Sequence, residues 1–248
     1  MVWFWSIWVG YASATNVEGL VRDLNQWKAQ RTSATAPDIP ASEYQKALNG
    51  DVVTGIEVVP DVKAAKAYGL AAFNIPIETL WKAIADEDHH AGNLPVTHSK
   101  TIDGSPRRND HTVFQYIDVP ILADRWWLVR IRYNDALYKT SSGRAWELWW
   151  TDRLKEPALK ARLDKDVIDD GMPIEWSKGA WLLVDIGNGK TLIEYHTWSD
   201  PGGSVPVGPA TRFAAGEVKS TLRGMAQFAR THTPSCNGRY IKPDGTPL

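Results

Sequence analysis

The chain has 248 residues and a formal net charge of −1, with 43% hydrophobic and 23% charged residues. That length is enough for one domain with a core of its own, and the balanced charge gives neither the basic face of a nucleic-acid binder nor a polybasic membrane patch. A single cysteine, Cys236, rules out an internal disulfide and a cysteine-rich zinc site. The composition departs from the ordinary in its aromatics, with 13 Trp against 5 Phe and 8 Tyr.

The N-terminal run MVWFWSIWVGYASA ends in the small-residue pattern Ala12-Ser13-Ala14, which fits signal cleavage, although no Lys or Arg precedes it. A bilayer span needs about 20 apolar residues, more than this run holds. Export to the periplasm or medium is the expectation, with a cytoplasmic chain carrying an apolar N-terminal segment as the alternative. Residues 15–30 predict a helix, because Val17, Leu20, Val21, Leu24 and Trp27 share a face and Thr15 with Glu18 has capping-box spacing. A Ser/Thr/Ala/Pro connector follows, then a short helix closed at Gly50. Residues 51–59 and 64–75 read as strands. Pro76 opens a helix with Ile77, Leu80, Trp81 and Ile84 on its buried stripe.

Six strands are predicted next, at 97–103, 108–118, 125–133, 144–152, 176–185 and 190–199. Turn chemistry separates them at Asp103-Gly104, Ser142-Gly143 and Gly187-Asn188-Gly189. The charged span 153–171 suits a short surface helix. Residues 206–230 carry the longest helical stripe, including Phe213, Val218, Leu222, Met225 and Phe228. The fold class expected is α+β: a helix grip, with a curved antiparallel sheet wrapped around a long C-terminal helix and additional N-terminal helices. The divisions expected are 1–14, 15–40, 41–230 and a polar tail at 231–248.

The segment DRWWLVRIRYNDALYKTSSGRAWELWW concentrates the tryptophans. As a hairpin with Tyr133 opposite Arg144, it sets Trp127 against Trp150, Val129 against Leu148 and Ile131 against Trp146. That register yields one apolar, aromatic face, and a second face on which Arg130 meets Glu147. The aromatic face reads either as a filled core or as the wall of an apolar concavity.

Four pieces of the chain resemble the START domain, the StAR-related lipid-transfer fold of the helix-grip, Bet v 1-like superfamily, over roughly residues 43–230. They are IPIETLWKAIAD, VPILADRWWLVR with its P-x-x-x-x-R spacing, GAWLLVDIGNGKTLIEYHTWSDPGGSVP, and the terminal helix. Trp126 follows Arg125 where many members have Asp. The resemblance implies a tunnel between sheet and last helix for a lipid, sterol or similar hydrophobic molecule. In that tunnel Trp127, Val129, Ile131, Tyr133, Trp146, Leu148 and Trp150 form the wall and Phe213, Leu222 and Met225 the roof. Arg125, Glu194 and His196 are candidates for polar contacts with the ligand. Gly202 and Gly203 suit a hinge for a lid.

No catalytic residue, metal or cofactor is nominated. DEDHH at 86–90 reads as a solvated helix end rather than a metal site, and GNGKT as a hairpin turn because Val184 stands where a phosphate loop needs Gly. G-x-S-x-G is absent. The expected protein is a monomeric, non-enzymatic binder of a hydrophobic small molecule, with transient membrane contact and no nucleic-acid partner. A cyclase/aromatase-like enzyme on the same fold is the alternative, with Arg125, Glu194 and His196 as its players.

Overall fold

The computed structural model describes residues 17–31, 36–60, 62, 64–119, 123–203, 207–232 and 240–248, with backbone alone for 207–215. The predictions for Met1–Ala14, Cys236 and the Phe213 side chain lie outside what it describes. Two short helices come first, α1 (Val17–Trp27) and α2 (Ala41–Leu48), followed by β1 (Val53–Glu57), β2 (Lys66–Phe73) and α3 (Ile77–Ile84). Strands β3 (His98–Asp103), β4 (His111–Ile117) and β5 (Asp124–Tyr133) lead through α4 (Asp135–Thr140) to β6 (Ala145–Asp152). The span predicted as one surface helix holds α5 (Pro157–Lys160), α6 (Lys165–Asp169) and a three-residue strand, β7 (Gly171–Pro173). The long hairpin β8 (Trp176–Gly187) and β9 (Lys190–Asp200) precedes α7 (Val207–Thr231). Among the described residues no helix is long and apolar enough to cross a membrane.

The sheet runs β1-β2-β9-β8-β6-β5-β4-β3, antiparallel throughout except for β7, which pairs parallel with β5. It is the expected α+β helix grip, a curved sheet wrapped around α7 with extra N-terminal helices. Its inner face packs on α3 and α7 through Ala67, Ala71, Trp81, Val129, Ile131, Trp146, Leu148, Trp181, Ile193, Val218, Leu222 and Met225. Its outer face is covered as well. Over β8 and β9 lie Leu20 and Trp27 of α1 with Tyr44 and Ala47 of α2; over β4 and β5 lie Leu154, Leu159 and Leu163. Helix α7 reaches the sheet at Gly69, where an added Cβ would come within 2.6 Å of Leu222 and Val218.

Two registers differ from expectation: β5–β6 from the hairpin with Tyr133 opposite Arg144, and β8–β9 from one with Leu183 opposite Leu192, which would put Glu194 and His196 on a face with Trp181. In the β5–β6 pair Ile131 faces Trp150 and Tyr133 faces Leu148, a slip that preserves the faces because it moves the pairing by an even count. Its cause is α4: Asn134 caps it by accepting from Leu137 N, so the connection is a helical turn, not a hairpin loop. Arg130 consequently faces Thr151 and pairs with Asp110 rather than Glu147. In the β8–β9 pair an irregularity between Asp185 and Gly187 sets Val184 opposite Leu192 and Leu182 opposite Glu194. That shift is odd, so it exchanges the faces. Trp181 lies with Ile193 and Tyr195 on the inner side, and Glu194 and His196 lie with Ala180 and Leu182 on the outer side.

The last residues are more than a polar tail. Tyr240 and Ile241 are buried in the inner core, and the Trp81 indole donates to the Ile241 carbonyl at 2.8 Å.

Candidate ligand-binding face

The inner face is built by alternation. Along β5, Arg125, Trp127, Val129, Ile131 and Tyr133 point to one side. Register then places Gln115, Val113 and His111 of β4 beside Trp127, Val129 and Ile131, and Thr101 of β3 beside Val113. Across β6 the row continues with Trp146, Leu148 and Trp150, and across β8 with Trp181 and Leu183. Trp81 of α3 meets Tyr133 at 4.8 Å and Trp146 at 5.4 Å, both edge-on, contacts each worth about 0.5–1.5 kcal/mol beyond area burial. Tyr195 lies 4.2 Å from Trp181 and stacks on Trp150 at 5.9 Å. Trp150 packs against Gly179, where an added Cβ would come within 2.2 Å of the ring and 2.3 Å of the His196 carbonyl. All seven predicted wall residues therefore share this face, Trp127 only half-buried. Leu222 and Met225 of α7 face them from above.

Polar groups are few on this surface, and they follow a pattern. Near the start of α7, Ser177, Ser199 and Thr197 form a hydroxyl ladder with spacings of 2.8 and 3.1 Å, and the Trp150 indole donates to Ser177. On the other side Trp127 donates to Gln115, which donates to Ser99. Glu217, on the inward stripe of α7, has a buried Oε2 without a hydrogen-bond partner, and burial raises its carboxyl. At the far end of the strands, Glu87, His111 and Tyr133 are all buried. His111 Nε2 lies 3.3 Å from Glu87 Oε2. Burial disfavours the charged ring, but the Glu87 charge together with hydrogen bonds to Glu87 and the Arg108 carbonyl raises His111.

Arg125 sits on the inner face but is tied elsewhere. Its Nε donates to Pro201 O at 2.7 Å and its Nη1 to the carbonyls of Ala123 and Asp124. It fastens the start of β5 to the turn that leads into α7. Gly202 and Gly203 in that turn have φ of +70° and +65°, a conformation that favours glycine.

Glu194 and His196 lie on the outer face of the sheet with Ala180 and Leu182, away from the aromatic rings. There Glu147, Leu182 and Glu194 form one row across β6, β8 and β9. Arg31, from the connector after α1, spans that row, with Nε to Glu147 at 3.1 Å and Nη2 to Glu194 at 2.7 Å. Tyr44 donates to Glu194 and Asn134 to Glu147. Burial alone would raise Glu194, but the Arg31 charge and hydrogen bonds from His196 and Arg31 hold it at about 2.

DEDHH is likewise not a solvated helix end, since Asp86, Glu87 and His90 are buried. Asp86 is saturated by Arg107, His89, Tyr240 and His232 at 2.7–3.0 Å. Among the described residues no His/Cys/Asp/Glu group has the arrangement of a metal site.

Comparison with solved structures decides the architecture. The fold is a START-like helix grip. The chain matches a STAR-related lipid transfer protein from Xanthomonas axonopodis at 17% identity and a TM-score of 0.59, covering 73% of this chain and 99% of that one. It matches human STARD10 at 15% identity and 0.57, covering 82% and 83%. Human StAR-related lipid transfer protein 5 matches at 11% identity and 0.56, covering 86% and 94%. No family model and no curated protein matches the sequence. At these identities the likeness is one of fold, and within that START-like frame the aromatic inner face occupies the surface the grip encloses.

Proposed function

We propose that this chain binds a hydrophobic small molecule between the inner sheet face and α7, and carries or senses it without chemical change. The observation behind this reading is the aromatic inner face of a START-like fold, with Trp127 on β5 and the contacting rings Trp150, Tyr195 and Trp181 on β6, β9 and β8, and with few polar groups among them. Ligand sites are typically apolar concavities with a few placed polar groups. A concavity of about 500 Å³ between α2, β1 and α7 is lined by Glu43, Lys46, Asp51, Lys219 and Arg223 and suits no apolar cargo. The enzyme alternative loses its named players, since Glu194 and His196 face outward and Arg125 holds backbone carbonyls. In this reading the Gly202–Gly203 turn lets the start of α7 lift for exchange at a membrane, and the Met1–Ala14 run directs export.

The test is organic extraction of protein purified from its native host, with mass spectrometry of the extract, alongside titration with Nile red. A stoichiometric apolar compound and saturable Nile red binding, lost in Trp150→Asp, are expected. An empty extract together with no Nile red binding would remove the proposal. N-terminal sequencing of the mature protein checks the export component.

A further inference from the structure

The concavity between α2, β1 and α7 is charged where the grip is apolar. It holds about 500 Å³, inside the range of roughly 300–1,000 Å³ usual for small-molecule sites. It lies at the edge strand of the sheet, where the inner and outer cores meet. Buried neighbours of the lining residues fix each wall: Tyr44 and Ala47 on α2, Val53 on β1, and Val218 and Leu222 on α7. Gly50 closes α2 with a φ of +102°. Its amide donates to the Ala47 carbonyl at 3.0 Å and the Asp51 amide donates to the Lys46 carbonyl at 3.1 Å, the bond pair of a Schellman closure. The backbone of Asp51 is thereby held in place beside Lys46.

Charge is divided between the walls. On the α2 side Lys46 donates to Glu43 at 2.8 Å, and the Asp51 charge acts on the same ammonium. On the α7 side stand Lys219 and Arg223, and neither has an ion-pair partner among the described residues. Four residues apart on a helix, they are neighbours on one face, and like charges at that spacing repel. An anion placed between them relieves the repulsion.

We propose that this concavity binds a soluble, hydroxylated phosphate monoester of about the size of a sugar phosphate. The phosphate lies between Lys219 and Arg223, whose Cβ atoms are about 5–6 Å apart at this spacing. The guanidinium fork of Arg223 takes two phosphate oxygens, and Lys219 adds a point charge. Hydroxyls of the ligand donate to Asp51 and to Thr54 across the concavity. The carboxylates of Glu43 and Asp51 oppose an anionic bilayer, and the exposed apolar side chains Val58, Val62 and Met172 lie outside the lining, so the phosphate belongs to a soluble molecule rather than to a lipid headgroup. Such a ligand touches α2, β1 and α7 together and fastens the last helix to the edge of the sheet. The site is separate from the aromatic face and stands without the apolar-cargo reading.

The test is isothermal titration calorimetry of the full chain with glucose 6-phosphate, inorganic phosphate and glucose at physiological salt, beside co-sedimentation with vesicles containing phosphatidylinositol 4-phosphate. Glucose 6-phosphate should bind saturably, more tightly than inorganic phosphate, and raise the melting temperature, whereas glucose should not bind. Lys219→Gln and Arg223→Gln, both at exposed positions, should each weaken glucose 6-phosphate about tenfold, and Lys190→Gln at the start of β9 should leave it unchanged. Asp51→Ala separates a shaped site from a diffuse field. It should weaken glucose 6-phosphate, by removing a hydroxyl acceptor, and tighten inorganic phosphate, by removing a negative charge. No binding of glucose 6-phosphate, equal losses in Lys190→Gln and Lys219→Gln, an Asp51→Ala variant that binds both compounds more tightly, or binding to the vesicles alone would overturn the proposal.

Discussion

Replacing Arg31 by methionine removes one cation from above two buried carboxylates. The Arg31 side chain is 9% exposed, Glu147 0% and Glu194 1%, so water cannot take its place. Glu194 is held at about 2 from an ordinary 4.5, which at about 1.4 kcal/mol per decade corresponds to roughly 3 kcal/mol of stability at neutral pH. Breaking a buried pair from one side costs about 3–5 kcal/mol by a separate route, so the two figures agree. Against a total of about 5–15 kcal/mol, Arg31→Met should be severely destabilised in urea at pH 7. The pH dependence gives the reasoning a second handle. In wild type the depressed carboxyl contributes fully above 4.5 and loses that contribution as pH falls toward 2. In the variant, burial raises Glu194 above 4.5, so its penalty is greatest at neutral pH and shrinks on acidification. The gap between the proteins should narrow steadily from pH 7 to about pH 4. Adding Glu147→Gln and Glu194→Gln to Arg31→Met should restore most of the loss. A deficit below about 1 kcal/mol, or one constant with pH, would refute the account.

Gly179→Val should cost about 1–3 kcal/mol and disturb near-UV dichroism, because the new side chain enters the Trp150 ring and the His196 carbonyl. Gly216→Ala, with open space at its Cβ, should instead gain about 0.5–1 kcal/mol; equal melting of the two variants would deny the Trp150–Gly179 contact a role. Trp127→Ala should lower Nile red affinity about tenfold or more at modest stability cost, whereas Trp81→Ala should cost about 3–5 kcal/mol. Thermal melts and titrations of both separate wall from core. Gly202→Ala with Gly203→Ala should slow stopped-flow Nile red uptake while leaving far-UV dichroism unchanged, and unaltered kinetics would discard the hinge.

The inner aromatic face was legible because β5 and β6 alternate strictly, and an even slip of register cannot alter which residues share a face. Asn134 was a visible cap, and reading it as one would have turned the assumed hairpin loop into α4. The β8–β9 hairpin was harder. Helices cover both of its faces, so Trp181, Leu182, Leu183 and Val184 are all buried and hydrophobicity could not choose between registers. One irregular step beside Gly187 therefore decided that Glu194 and His196 share a face with Leu182 rather than with Trp181. Their partner Arg31 comes from a connector more than a hundred positions away, and no local pattern announces it. DEDHH was misjudged for a related reason: its charges look solvated until Arg107, His111 and Tyr240 arrive from distant segments to enclose them.

The position of Ile241 bears on how this protein is handled in the laboratory. A boundary drawn where the grip formally ends, at Thr231, would leave out residues 240–248. Cutting there would strip the Trp81 indole of its acceptor and Asp86 of the Tyr240 hydroxyl, opening the middle of the molecule from its end. Expression plasmids should therefore run through Leu248.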